Sequence, residues 1–240
     1  MKKDLLNVDL ISINCVNPQA SVAAINYCQK FFNFGKSILV THIEPSEYYN
    51  IELHQLEEKI DWNGYNDQVL NLKQHSDNDF VMVIQEDGHI VNPNLWDDEF
   101  LKYDYIGAPW PTEESWIQMQ HEEQQPYLKK NLPKNRVGNG GFSIRSRKFL
   151  EFSSQFEDTG ILGEDTFLCT RKYDEAIEYG IKFAPFELAV KFAYENPCFE
   201  YDGNHWDQFI NFDPNKHFGW HGSQFANKAQ LLSLKYSTLS

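Results

Sequence analysis

Apolar segments of strand length recur along the first half of the chain. Three of them, at Val8–Ile13, 37–43 and Phe80–Ile84, predict strands. The third segment reads Phe-Val-Met-Val-Ile and is apolar throughout, as expected for a strand that is buried on both faces. The segments are far enough apart for the crossover connections that parallel neighbours require.

Helical patterns fill the stretches between and after these strands. Three helices are predicted, at 17–35, 50–60 and 67–74. Asn17, which is followed by proline, is a typical helix start, and Gly35 is a typical end. Asn66 lies at a plausible cap of the third helix. The sequence therefore predicts an α/β fold with a doubly wound, mostly parallel central sheet flanked by helices.

The second half is less regular. Short strands are predicted at 103–108, 142–145 and 181–186, and helices at 146–156 and from 163 to Gly180. Residues 112–136 are polar, carry both signs of charge and show no strand pattern. Long irregular segments of this kind are often functional, so we expect a mobile loop with some helix that leans over a site.

Composition limits the classes of partner. The 240 residues include 21 Lys and Arg against 35 Asp and Glu, a formal net charge of −14. This charge argues against a nucleic-acid backbone or an anionic membrane as the main partner. The four cysteines are far apart in sequence, the N-terminus lacks the apolar core of a signal peptide, and no apolar run approaches 18 residues. We expect a cytoplasmic protein with reduced thiols and no transmembrane segment.

The most informative segment is the turn Gln85-Glu86-Asp87-Gly88, which follows the third strand directly. In open α/β sheets ligands bind beyond the carboxyl ends of strands. Carboxylates in that position suit a divalent cation such as Mg²⁺, which proteins commonly share with substrate phosphates. A solvated acidic turn is the alternative, and this segment alone leaves both interpretations open.

Three later elements could take part in the same chemistry. They are the glycine-rich turn 138–141, the pair Glu164-Asp165, and His221. The glycine turn permits positive φ and close approach of another molecule. Asp165 lies in a predicted first helical turn, which would lower its pKa and make it a weaker base. A lone histidine such as His221 is more often structural than a metal ligand, and His89, His205 and His217 compete for any such role.

Several motifs occur together in the order typical of one known family. These are Val-Ile-Gln-Glu-Asp-Gly (83–88), Asn92-Pro93 with Trp96, Tyr-Asp-Tyr-Ile-Gly-Ala-Pro-Trp-Pro (103–111), Val-Gly-Asn-Gly-Gly-Phe-Ser-Ile-Arg-Ser (137–146), Glu164-Asp165 and Phe-Gly-Trp-His-Gly (218–222). Over roughly residues 35–225 the chain resembles the DUF5672 family of glycosyltransferase-like domains. The resemblance implies a single GT-A-like (Rossmann-like) domain over 1–240, with a smaller antiparallel part in the C-terminal half.

More distantly, the same order resembles metal-dependent inverting GT-A enzymes such as the β-1,4-galactosyltransferases. Carried over by position, Asp87 and His221 would hold Mn²⁺ or Mg²⁺ on a nucleoside-diphosphate-sugar donor, and Glu164-Asp165 would supply the catalytic base. Gln85 departs from the pattern, because it stands where the metal-binding turn has its first carboxylate. The metal would then be held more weakly.

The resemblance also divides the chain. Residues 1–90 would form the nucleotide-binding half, 91–225 the acceptor and metal half, and 226–240 a C-terminal tail. The residues expected to contact the donor are Asn14, Cys15, Asn66, Gln85, Glu86, Gly140 and Gly141. Trp110 or Trp116 would offer a stacking face to a sugar.

The sequence thus predicts a nucleotide-sugar-dependent glycosyltransferase, metal-dependent and inverting, that acts on a glycan or another hydroxyl acceptor. A non-catalytic carbohydrate- or nucleotide-sugar-binding module of the same fold is the main alternative, and Gln85 is the residue that favours it. A sugar nucleotidyltransferase ranks last, because residues 12–20 lack the Gly-rich phosphate loop that such enzymes use.

Overall fold

The fold is organised around one large twisted sheet. The structure, a computed structural model, describes residues 2–131, 136–198, 203 and 213–222. The strands in these ranges are, in chain order, β1 Lys3–Leu5, β2 Val8–Ile13, β3 Phe32–Phe34, β4 Ser37–Thr41, β5 Glu52–Gln55, β6 Phe80–Ile84, β7 His89–Ile90, β8 Tyr105–Gly107, β9 Phe142–Ser146, β10 Ala193–Tyr194 and β11 Gly219–Trp220. The expected C-terminal tail, 226–240, lies outside the described residues.

The large sheet has six described strands in the order β5-β4-β2-β6-β9-β8. Neighbouring strands from β5 to β6 are parallel, whereas β9 runs antiparallel to both β6 and β8. In register, Ile11 of β2 pairs with Ile38 on one side and with Val83 on the other. The predicted mostly parallel sheet with a smaller antiparallel part is confirmed.

Helices cover both faces of this sheet. They are α1 Pro18–Cys28, α2 Trp62–Leu70, α3 Glu114–Met119, α4 Gln125–Asn131, α5 Arg147–Ser153, α6 Glu164–Thr166, α7 Tyr173–Tyr179 and α8 Phe186–Phe192, with 3-10 turns at Leu72–Gln74, Pro93–Leu95 and Asp98–Lys102 and a π-helical turn at Phe167–Arg171. None of the helices within the described ranges has the length and apolar character needed to cross a lipid bilayer.

Alternate residues of the central strands pack on opposite faces, as the period of a strand requires. Leu10 and Met82 join a large core cluster that includes α1, while Ile11 and Val83 join a smaller cluster that includes Val69 of α2. The chain therefore buries two layers of side chains and leaves the carboxyl ends of the parallel strands at one edge.

The first predicted helix is correct at its start and wrong at its end. Asn17 caps α1 by accepting a hydrogen bond from the Ala20 amide, but the helix ends at Cys28 rather than near Gly35. Phe32 lies on β3, which pairs in parallel with β1. Pairing with the N-terminal strand overrides the helical spacing of the apolar residues.

The second predicted helix, at 50–60, is wrong, because Glu52–Gln55 forms the edge strand β5 beside β4. The third begins earlier than expected. Asp61 caps α2 by accepting from the Gly64 amide, so Asn66 lies inside the helix and is not its cap. Asp61 is an equally good capping residue five positions upstream.

The second half agrees with expectation only in part. The 112–136 segment contains the expected helix, as α3 and α4, and its own side chains Trp116, Ile117 and Leu128 are buried. The helix predicted from 163 to Gly180 is interrupted by the π-helical turn, although Gly180 ends it at φ +90° as expected. The strand predicted at 181–186 is wrong: a single bridge joins Phe183 to Tyr105, and α8 begins directly after Pro185.

Candidate functional site

A cavity of about 430 Å³ opens beyond the carboxyl end of β6. Three of the residues predicted from the sequence, Asp87, Asp165 and His221, line it together. The lining also includes one further carboxylate, Glu195, and three tryptophans, Trp62, Trp110 and Trp116. The described structure therefore brings Asp87 of the acidic turn, Asp165 and the late histidine to one place.

A small three-stranded sheet explains this convergence. β11 lies between β10, which is parallel to it, and β7, which is antiparallel. Trp220 pairs with Tyr194 on one side and with His89 on the other. Continuing this register by one residue places His221 beside Glu195 and opposite the turn that carries Asp87.

The His221 imidazole is held by polar contacts on both of its nitrogens. Nε2 lies 3.0 Å from Gln85 Oε1 and 3.4 Å from Asp87 Oδ1. Nδ1 lies 3.2 Å from Glu195 Oε1 and 3.1 Å from Asn139 Nδ2. Burial lowers the pKa of His221, but the hydrogen bond and charge of Glu195 and the charge of Asp87 outweigh burial, so the pKa is raised.

Gln85 takes a defined orientation. It stands where the metal-binding turn of the GT-A enzymes that the sequence resembles has its first carboxylate. Its Nε2 donates to the Tyr65 hydroxyl at 2.7 Å, and its Oε1 faces His221. The Tyr65 pKa is raised, chiefly by burial, so its hydroxyl stays neutral. Gln85 thus presents a neutral oxygen on the same side of His221 as Asp87.

The Asp165 carboxylate is fixed by hydrogen bonds and has a raised pKa. It accepts hydrogen bonds from the Gly140 amide at 3.2 Å and from the Thr166 amide at 2.6 Å. Burial, followed by the charge of Glu164, raises the pKa of Asp165 to about 7 despite these donors. The lowered pKa expected from the sequence is therefore wrong. α6 has only three residues, so its helix dipole is small beside the cost of burying the charge.

Glu164, the other predicted catalytic residue, points away from the cavity. It is 4% exposed and pairs with Arg145 Nη2 at 3.0 Å, and Arg145 is itself fully buried. Asn66, predicted to contact the donor, is 1% exposed, and its Oδ1 accepts from the Glu164 amide at 3.1 Å. Both side chains therefore make buried contacts within the protein that stabilise the segment carrying Asp165.

The glycine turn makes room for side chains of the protein itself. A Cβ at Gly138 would lie 2.1 Å from the Trp110 ring, one at Gly140 2.1 Å from Glu164 Oε1, and one at Gly141 2.0 Å from His221 Nε2. None of these three glycines has a positive φ. The expected reason for the motif is thus corrected: close packing, rather than a left-handed backbone, requires glycine at these positions.

The remaining predicted donor contacts lie outside the cavity. Asn14 uses its amide within the protein, donating to Glu86 Oε2 at 2.8 Å and to Ser21 Oγ at 3.0 Å. The Asn14 oxygen accepts from the backbone amides of Val16 and Asn17, and Cys15 is buried. Asn14 therefore ties Glu86 to the start of α1, and its expected contact with a nucleotide base receives no support from this geometry.

Sequence reasoning missed several residues of the cavity, among them Asn139, Glu195 and Trp62. Asn139 lies inside the recognised glycine block, where its Oδ1 accepts from the Gly141 and Phe142 amides. Glu195 and Trp62 had no local signal, because their positions depend on the register of the small sheet and on the start of α2. Among the described residues, no three His, Cys, Asp or Glu side chains are placed to hold a metal ion together.

The chain matches the model of a known protein family. The model of a family described as a protein of unknown function, DUF5672, matches residues 50–207. The chain belongs to the DUF5672 family. The match lies within the range over which the sequence resembles this family, roughly residues 35–225, and no curated protein sequence matches this DUF5672 chain.

Solved structures show the fold of this DUF5672 member. An active-site mutant of LgtC has a TM-score of 0.57 at 11% identity and covers 96% of this chain and 95% of its own. The galactosyltransferase LgtC in complex with donor and acceptor sugar analogues has a TM-score of 0.53 at 11% identity, with 95% of each chain covered. The DUF5672 chain therefore has the fold of the GT-A glycosyltransferases.

A third structure is similar over a smaller part. The mannosyltransferase PcManGT from Pyrobaculum calidifontis, in complex with GDP-Man and Mn²⁺, has a TM-score of 0.45 at 9% identity. The alignment covers 74% of this chain, which spans about half (53%) of the mannosyltransferase.

Proposed function

We propose that the chain is a nucleotide-sugar-dependent glycosyltransferase, metal-dependent and inverting, with Asp165 as its base. One observation supports this most strongly: Asp165 shares a cavity with Asp87 and His221 at the carboxyl edge of a GT-A sheet. LgtC, which has the same fold, was solved with donor and acceptor sugar analogues. The acceptor would be a glycan or another hydroxyl compound.

The donor set around His221 fits Mn²⁺ or Mg²⁺. Cis ligands of an octahedral ion with bonds of about 2.1 Å lie roughly 3 Å apart. His221 Nε2 lies at comparable distances, 3.4 Å from Asp87 Oδ1 and 3.0 Å from Gln85 Oε1. With few protein ligands available, diphosphate oxygens would complete the shell, as is common for Mg²⁺. When bound, such a cation neutralises charge on the departing diphosphate.

Asp165 is placed to move the proton of the acceptor. A base works best when its pKa lies near the working pH, and the pKa of Asp165 is raised to about 7. The Gly140 and Thr166 amides fix the carboxylate, and Asp165 lines the cavity. Removal of the acceptor proton on the face opposite the leaving diphosphate gives inversion of the anomeric centre in one displacement.

Gln85 supports the second candidate, a non-catalytic module that binds carbohydrate or nucleotide sugar. A neutral amide beside Asp87 gives a cation less charge compensation than a second carboxylate would. Donor hydrolysis separates the two candidates. Release of nucleoside diphosphate from a UDP-, GDP-, CMP- or dTDP-linked sugar supports the transferase, and binding without release across several acceptors supports the module.

Asp87→Ala tests the metal role. We expect calorimetric binding of UDP or GDP to be strengthened by Mn²⁺ in the unaltered chain, and this Mn²⁺ effect to be lost in Asp87→Ala. Asp77→Ala, which removes an exposed aspartate elsewhere, serves as the matched control and should bind like the unaltered chain. An undiminished Mn²⁺ effect in Asp87→Ala would contradict the assignment.

Glu195→Gln tests how His221 is oriented. A histidine that binds metal through one nitrogen usually donates its other N–H to a carboxylate, and loss of that partner costs about 10–100-fold in metal affinity. Glu195 lies 3.2 Å from Nδ1 and can fix the proton there. We expect a loss of this size in Glu195→Gln, measured by Mn²⁺ electron paramagnetic resonance with UDP or GDP present. The exposed Glu187→Gln on α8 should show no loss.

A further inference from the structure

Trp62 is an unusual feature of the cavity mouth. Its side chain is 59% exposed, whereas Trp110 and Trp116, which also line the cavity, are 5% and 7% exposed. Tryptophan is highly buried on average, and an exposed aromatic ring beside a cavity is available to stack on a ligand. Building on the proposed function, we propose that the acceptor is a neutral saccharide whose ring stacks on Trp62.

The start of α2 and a contact with Tyr65 set the position of the indole. Trp62 is the first residue of α2, directly after the Asp61 cap. Its ring stacks on that of Tyr65, with centroids 6.4 Å apart and planes inclined by 23°. The Tyr65 hydroxyl accepts from Gln85 Nε2, which links the indole to the turn beside His221. Little side-chain entropy is lost when a ring of this kind binds a ligand.

Gly163 sets the spacing between the indole and the base. A Cβ at this position would lie 3.5 Å from Trp62 Cζ2 and 3.2 Å from Asp165 Oδ1. The indole edge and the carboxylate therefore flank one small gap that any larger residue would narrow. A saccharide in contact with Trp62 would therefore lie next to the Asp165 carboxylate, the group proposed to deprotonate it.

The rest of the lining favours an uncharged ligand. The described lining residues include no lysine or arginine, while Asp87, Asp165 and Glu195 are acidic. A phosphate or carboxylate on the acceptor would face these groups with no lysine or arginine in the described lining to pair with it. Amide and imidazole groups that suit sugar hydroxyls make up most of the polar remainder: Gln120, His121, Gln124, Asn139 and Asn196.

The test measures saccharide binding to the full chain with Mn²⁺ and UDP or GDP present. Saturation-transfer NMR and calorimetry would be run with glucose, galactose, mannose, N-acetylglucosamine, lactose and maltose. For the saccharide that binds best, we expect Trp62→Ala to weaken affinity by about tenfold or more, which corresponds to the energy of a good aromatic contact. Trp62→Phe should retain most of the affinity. Tyr49→Ala, which removes an aromatic side chain that is 74% exposed, should match the unaltered chain.

Each contrary outcome has a distinct meaning. If Trp62→Ala weakens nucleotide binding as much as saccharide binding, Trp62 belongs to the donor site and the proposal is overturned. If nucleotide binds but no neutral saccharide does, the saccharide assignment fails while the proposed function stands. Trp62-dependent binding to phosphatidylglycerol vesicles without saccharide binding would indicate a membrane contact and would also overturn it. If nucleotide fails to bind as well, the proposed function fails, and this proposal fails with it.

Discussion

Asp165→Asn should reduce glycosyl transfer by about 10²–10⁴-fold, the usual contribution of a general base. Asparagine keeps the size of the side chain but cannot take up the proton of the acceptor hydroxyl. In the unaltered chain, kcat/KM should rise about tenfold per pH unit below pH 7 and level off above it, because Asp165 must be ionised to act and its pKa is about 7. Steady-state kinetics with the best donor would measure both, and the exposed Asp77→Asn is the matched control.

The same replacement should make the folded chain more stable at alkaline pH. The folded-state pKa of about 7 lies above the ordinary value of 3.8, so between these pH values the folded chain holds a proton that the unfolded chain has released. Stability therefore falls as the pH rises through this window, and the full penalty is present above pH 7. Asparagine removes a penalty on the order of 2 kcal/mol, allowing for partial exposure of the carboxylate to water.

Melting temperatures at two pH values check this linkage. At pH 8 we expect Asp165→Asn to melt roughly 4–8 °C above the unaltered chain, and the gain should be smaller at pH 5. Loss of transfer without any gain in stability at pH 8 would contradict a raised pKa. Equal gains at both pH values would show that the charge of Asp165 is not the cause.

Glu164→Ala should destabilise the folded chain by about 3–5 kcal/mol, because it leaves the buried Arg145 guanidinium without a counter-charge. Arg145 is fully buried, and Glu164 Oε1 is the carboxylate oxygen that it contacts, at 3.0 Å. Urea unfolding would measure the free-energy change. A loss of this size is a large fraction of the stability of an ordinary domain.

Two further variants distinguish this structural role from a catalytic one. Glu151→Ala removes an exposed glutamate from α5 and should unfold like the unaltered chain. The double variant Arg145→Met with Glu164→Leu should recover most of the lost stability. Arg145 Nη1 and Glu164 Oε2 are buried without partners among the described residues, so the existing pair is incompletely satisfied. A stable Glu164→Ala variant that has lost transfer would instead restore Glu164 to the catalytic site.

Much of the central sheet could be predicted from the sequence. Val8–Ile13 and Phe80–Ile84 have the bounds expected, because buried parallel strands need apolar runs that few other elements tolerate. β5 was missed for a physical reason. Ile51 and Leu53 alternate with polar residues, yet Glu, Leu and Gln favour helix, and pairing with β4 decided the outcome.

The candidate site was predicted in part. Asp87, Asp165 and His221 were identified by the order of their motifs, and the structure brings them to one cavity. The positions of Glu195 and Trp62 could not be read from local patterns, because they follow from strand register and helix capping. The pKa of Asp165 was predicted in the wrong direction, since burial is a tertiary property that a helix position does not reveal.

We propose that Asp87 and His221 hold a cation on a nucleoside diphosphate next to Asp165. Anomalous scattering from crystals of the chain soaked with Mn²⁺ and UDP or GDP would show whether they do. We expect one manganese peak bonded to both Asp87 and His221, with the diphosphate on the same ion and Asp165 facing the sugar position. A manganese ion or diphosphate bound elsewhere, with neither residue as a ligand, would contradict the claim.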